Sequence, residues 1–179
     1  MSSSEPSTDH LTMTSSGHDL AAAGWLDLHY QACAAEYTAT LEAAGLRPGW
    51  RLLDAGCGSG SFLPLLAEQV RPQGRIDAVD LAAEHVAAVT AQITGAALPC
   101  PVGVRQGSVA DLPFPARTFD ALWSANVTQY LDDAGLAAML AEARRVVRPG
   151  GLVAVKESEI TALQVQPAPP TLLWHLFEA

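Results

Sequence analysis

The chain has 179 residues, 49% hydrophobic and 16% charged, with ten basic side chains against nineteen acidic ones and a net charge of −9. That length supports one domain with a sizeable core, and the composition excludes a disordered chain. A large polyanionic partner needs a basic face, whereas the basic residues here are scattered apart from Arg144, Arg145 and Arg148, which argues against nucleic acid as a substrate.

Met1 to about Gly17 is rich in Ser and Thr and has neither a basic start nor an apolar stretch. It is expected to be a flexible tail (1–17) and not a signal peptide. Leu20 to Ala44 reads as one or two alanine-rich helices, stopped by Gly45 with Pro48-Gly49 beyond, and forms an expected helical cap over residues 18–45. The rest, 46–179, reads as a second unit. Cys33, Cys57 and Cys100 are far apart and odd in number, with no CxxC pair, so no disulfide framework or zinc site is expected. A reducing, cytoplasmic setting fits. No apolar run approaches the length of a membrane span, so no membrane partner is expected.

Arg51 to Asp54 should be the first strand. Gly56, Gly58 and Gly60 follow at alternate positions, and then an apolar run from Phe62 to Val70. The order is strand, glycine turn, helix, with the helix over Ser61–Val70 and Pro64 tolerated near its start. In a doubly wound sheet this turn lies at the carboxyl end of the first strand, where backbone can approach a nucleotide-like ligand closely. The dinucleotide pattern G-x-G-x-x-G would place its third glycine at residue 61, which is Ser61. Asp54, just before the turn, would repel a pyrophosphate but suits a ligand carrying a cationic amine.

Arg75 to Asp80 is the second strand and also ends in an acid. Asp80, at the strand tip, can accept hydrogen bonds from both hydroxyls of a ribose; its ordinary reading is a helix-starting cap. Asp77, three positions earlier, lies below the tip. A helix over Ala82–Thr94 leads to a third strand, Val102–Gln106. Asp111, in a loop broken by Pro113 and Pro115, reads either as an acceptor for an adenine amine or as a turn acid. Ala121–Ser124, preceded by Phe119-Asp120, is the fourth strand, Ala134–Val147 a helix, Arg148-Pro-Gly-Gly151 its stop, and Leu152–Lys156 the fifth strand. Five strands alternating with helices predict a parallel α/β sheet with right-handed crossovers.

Five motifs in order carry a resemblance: Asp54-Ala-Gly-Cys-Gly-Ser-Gly60, Asp80, Ala110-Asp111-Leu-Pro-Phe with Phe119-Asp120, Ser124-Ala-Asn126-Val-Thr-Gln-Tyr130-Leu, and Leu140–Lys156 with Arg148-Pro-Gly-Gly151. Over about residues 45–157 the chain resembles the class I S-adenosylmethionine (SAM) methyltransferases, in particular the ubiquinone/menaquinone-biosynthesis-like branch. The resemblance implies a Rossmann-like doubly wound parallel sheet and methyl transfer from SAM to a small-molecule acceptor, leaving S-adenosylhomocysteine. It implies that Asp54 and the backbone of Gly56 and Gly58 hold the amino acid part of SAM. By the same resemblance Asp80 binds ribose with Leu81 against adenine, Ala110 and Asp111 bind the adenine edge, and Asn126 lies near the sulfonium. An aromatic from the first helices (Trp25, Tyr30 or Tyr37) would cover the cofactor.

Methyl transfer depends mainly on positioning. A general base is required only for a poor nucleophile, and His29, Tyr130 and Glu157 are candidates whose ordinary reading is a packed or solvated side chain. No required metal is expected. The family sheet has seven strands, and this chain ends 23 residues after Lys156. Thr171–Ala179 reads as an opening helix, so the last two strands are expected to be missing, with a longer protein or a homo-oligomer completing the edge. Two further readings stay open: a SAM-binding module without turnover, and an NAD(P)-dependent oxidoreductase.

Overall fold

A computed structural model describes residues 14–17 and 19–158. The expectations for residues 1–13 of the tail and for Thr171–Ala179 lie outside the described residues, and with them those for the sheet edge beyond the fifth strand. The elements in chain order are α1 (Ala23–Ala32), α2 (Ala34–Ala44), β1 (Arg51–Ala55), α3 (Leu63–Val70), β2 (Arg75–Asp80), α4 (Ala83–Gly95), β3 (Val102–Gln106), β4 (Phe119–Ala125), α5 (Asp133–Val146) and β5 (Val147–Lys156). A single 3-10 turn, Thr128–Tyr130, follows β4.

All pairings within the five-stranded sheet are parallel, in the order β3-β2-β1-β4-β5. β1 is central because its apolar residues face both ways. Leu52 packs with Ile76, Ala78, Ala121, Trp123 and the α3 residues Leu63, Leu66, Ala67 and Val70. Leu53 packs with Val79, Phe119, Leu122 and the α5 residues Met139, Ala143 and Val146. Alternation along each strand feeds two cores, one per face, as a doubly covered parallel sheet requires. The order reverses direction between β1 and β4, which opens a crevice at the carboxyl ends of the strands.

Local chemistry sets the element ends. The Asp132 carboxylate accepts the Gly135 amide at 2.7 Å and starts α5. Gly45 ends α2 with a left-handed φ of 75°. Several boundaries move by one or two residues from expectation (β1, β4, α4 and α5), and those of α3 and β5 bear on the site and the sheet. α3 begins at Leu63, with Ser61 and Phe62 still in the turn and the Ser61 hydroxyl donating to Asp27 at 2.7 Å. Arg148-Pro-Gly-Gly151 lies inside β5: Val147 pairs with Phe119, the register then shifts, and Ala121 pairs with Leu152. The strand thus begins before the predicted stop and carries it as an irregularity.

At the far end of the sheet from the crevice, Asp77 accepts from Arg51 at 2.9 Å and from Arg75 at 3.1 Å. Burial raises the Asp77 pKa, but these two guanidinium groups outweigh it and hold the carboxyl below its ordinary range. The pairing explains an acid inside a buried strand without giving it a ligand.

Candidate cofactor site at the carboxyl ends of the strands

A cavity of about 300 Å³ opens over the ends of β1, β2 and β4. Asp54, Gly56, Gly58, Asp80, Leu81, Ala110 and Asn126 all line it. Asp111 does not. It is exposed, its amide donates to the Ser108 carbonyl at 3.2 Å, and its loop is gripped from α5 instead. There Arg145 donates to the carbonyls of Leu112 and Phe114, while Glu142 accepts the Leu112 amide at 2.7 Å. Arg144-Arg145, read in sequence as late-helix charge, thus includes the clamp on this loop.

The glycine turn is shaped by close approach. Gly56 has φ +80°, and a Cβ there would lie 2.4 Å from Val127 Cγ2. Gly58 has φ +53°, and a Cβ there would lie 2.9 Å from Leu26 of α1. Three amides at the start of the turn are already committed. Gly56 and Cys57 donate to the Val79 carbonyl at 2.8 and 3.0 Å, and Gly58 donates to Asp80 Oδ2 at 2.8 Å. The amides of Gly56, Cys57 and Gly58 are therefore engaged inside the protein, so they do not serve as donors either to a phosphate or to the amino acid part of SAM.

Asp54 presents the opposite chemistry. It is 3% exposed, and its Oδ2 is buried with no hydrogen-bond partner. Burial, with a smaller contribution from the Asp80 charge, pushes its pKa up to about 7. A buried carboxylate oxygen lacking a partner costs free energy until a donor arrives. The α-ammonium of SAM is such a donor, so the residues present fit that group.

Asp80 is held by three donors. Gly58 N reaches Oδ2 at 2.8 Å, while Ala82 N at 3.0 Å and His85 Nδ1 at 2.9 Å reach Oδ1. A carboxylate offers about four acceptor positions. With these three, Asp80 retains acceptor capacity on Oδ2, at the cavity. His85 was not singled out in the sequence, because nothing in a lone histidine on α4 signals a partner 64 residues away.

Asn126 sits at the end of β4 in the left-handed region, φ 58°. Lys156 donates to its Oδ1 at 2.7 Å, and its Nδ2 donates to Tyr37 Oη at 3.1 Å. Tyr37 in turn hydrogen-bonds His29 Nδ1 at 3.1 Å. His29 and Tyr130 line the cavity, as do Tyr30 and Tyr37. Trp25 is 56% exposed and stacks on His29 from outside. Glu157 is no base candidate: its Oε1 accepts the amides of Val127 and Thr128 at 2.9 and 2.8 Å and caps the 3-10 turn. Cys57 is buried, and its thiol pKa is pushed well above the ordinary value by burial and by the nearby carboxylates, so it is a filler and not a nucleophile.

The cap is fastened over this site. Asp27 Oδ1 on α1 accepts from the hydroxyls of Ser59 and Ser61 at 2.6 and 2.7 Å. Among the described residues, no helix is long and apolar enough to cross a membrane, and no cluster of three His, Cys, Asp or Glu side chains could hold a metal.

Residues 52–151 match the family described as a methyltransferase domain. The chain is 37% identical over 113 residues to the nocamycin O-methyltransferase of Saccharothrix syringae, covering 63% of this chain and 39% of that protein. It is 30% identical over 138 residues to the ubiquinone/menaquinone biosynthesis C-methyltransferase UbiE of Bordetella avium, covering 77% and 51%. Among solved structures it resembles a SAM-dependent methyltransferase from Aquifex aeolicus, with a TM-score of 0.63 and 26% identity over 76% of this chain and 72% of that one. The chain spans about a third to a half of the length of the curated relatives it matches.

Proposed function

The chain belongs to the class I SAM-dependent methyltransferase family, UbiE-like branch, and on that premise we propose that this protein methylates a small-molecule acceptor, with SAM held between β1, β2 and the cap. The observation that carries the reading is the buried, unpartnered Oδ2 of Asp54 on the cavity wall. Asp54 neutralises and orients the ammonium of the amino acid part. The remaining Oδ2 position of Asp80 takes a ribose hydroxyl, with Leu81 and Ala110 flanking the base. When bound, SAM supplies a methyl on sulfonium, already activated, so the protein's task is alignment and exclusion of water.

Support for a small acceptor comes from the apolar and aromatic residues of the same cavity. Leu26, Tyr30, Tyr37, Tyr130 and Leu131 also line the cavity, and His29 on the same wall is our candidate to take a proton from a protic nucleophile. The relatives' names include O- and C-methylation. The experiment is transfer of labelled methyl from SAM to a panel of phenols, carboxylic acids and quinols. Label in one acceptor class supports the reading. Tight cofactor binding with no transfer to any member would favour a binding module without turnover.

A further inference from the structure

His85 lies on α4, is 4% exposed and borders the cavity. Its Nδ1 is 2.9 Å from Asp80 Oδ1, and its Nε2 is 2.9 Å from the carbonyl oxygen of Ala21, just before α1. A carbonyl oxygen only accepts, so Nε2 carries a proton. Asp80 already accepts two backbone amides, and an ionised Asp80 can only accept, which calls for a proton on Nδ1 as well. A ring protonated on both nitrogens would satisfy both contacts at once, wedged between the cap and the acid at the tip of β2.

We propose that His85 is a positioning residue that ties the entry of the helical cap, at Ala21, to Asp80, so that closure of the cap and orientation of the ribose-side acid are one coupled event. The proposal rests on the reading of Asp80 as a cofactor-binding residue. Ala82 N and Gly58 N are fixed by helix start and turn, whereas His85 is a side-chain donor on this carboxylate that also reaches the cap. Two carboxylates bear on its charge, Asp80 from β2 and Glu84 from α4 itself, and the cap contributes the Ala21 carbonyl. The hydrogen bond from Asp80 is the largest influence raising its pKa, opposed by burial. Losing either proton would break one end of the tie.

The test uses the full chain with nitrogen-15-labelled histidine. Magnetic resonance of the His85 ring should show both nitrogens protonated at pH 7 without any ligand. His85→Leu should speed amide exchange over residues 23–32 and weaken S-adenosylhomocysteine binding by at least about tenfold, a common size of coupling between sites. His85→Gln, which keeps one donor, should fall between. A neutral ring with one bare nitrogen, or a folded His85→Leu with unchanged cap exchange and affinity, would overturn the proposal. If wild type itself fails to bind S-adenosylhomocysteine, the functional reading fails instead; the ring protonation and cap exchange still decide the tie. If His85→Leu does not fold, the wild-type ring measurement and His85→Gln decide it.

Discussion

Lys156 and Asn126 meet across the ends of adjacent strands, with the ammonium 2.7 Å from Asn126 Oδ1. Because an ammonium only donates, this contact fixes which way the amide points. Nδ2 is then aimed at Tyr37 on the cap, and one side chain links the sheet to the aromatic wall of the cavity.

Asn126 has φ 58°, where a residue with a Cβ and no compensating amide is strained by roughly 1–2 kcal/mol. Asn126→Gly should therefore be more stable than Asn126→Ala by about 1 kcal/mol in urea unfolding. Both should weaken cofactor binding, since both lose the link to Tyr37. Equal stabilities would show that the backbone there relaxes.

Asp54 makes stability depend on pH in an unusual direction. Its folded pKa of about 7 lies above the ordinary carboxyl value of 3.8. Between those values the folded state holds more protons, so without ligand stability is fully present below about pH 4 and is lost as pH rises through about 7. The loss is on the order of 4 kcal/mol from this group alone. Asp54→Asn should flatten that slope and stabilise the ligand-free chain at pH 8 while weakening SAM binding. A variant whose melting temperature keeps the wild-type pH profile would assign the slope elsewhere.

The same group links binding to protons. An ammonium beside Asp54 favours the ionised carboxylate, so below pH 7 binding of S-adenosylhomocysteine should release a proton. Calorimetry in two buffers of different ionisation enthalpy reads this directly. Equal apparent enthalpies at pH 6 would mean that the carboxylate does not meet the amine.

Asp77 is the control at the other end of the sheet. Asp77→Ala leaves Arg51 and Arg75 without their shared partner. It should cost about 1–3 kcal/mol, less than a fully buried pair because both guanidinium groups are about half exposed. Affinity for S-adenosylhomocysteine should not change. A large loss of affinity in the folded variant would show that the two ends of β2 are coupled.

The five strands were legible because each is a short apolar run bounded by Gly, Pro or an acid, and β2 and β3 fall on the residues expected. The glycine turn and the acids at 54 and 80 were legible because strand end, turn and helix are adjacent in sequence. What escaped depends on approaches across the chain. His85 finds Ala21 only once the cap folds over α4. Glu157 looks like a free acid until the turn after β4 brings two amides to it. Asp111 fits an adenine contact by spacing, yet Arg145 and Glu142 set its loop so that the carboxylate faces solvent. Arg148-Pro-Gly-Gly151 reads as a stop by local rules, but pairing of Val147 with Phe119 overrides them.

On the function proposed above, the crevice takes a cationic amino acid attached to a nucleoside and not a pyrophosphate. Calorimetric titration of the purified chain with S-adenosylhomocysteine, and separately with NAD, tests it most directly. The expected result is saturable one-to-one binding of S-adenosylhomocysteine, lost in Asp80→Ala, with no heat from NAD. Saturable NAD binding, or no binding of S-adenosylhomocysteine by a folded chain, would contradict it.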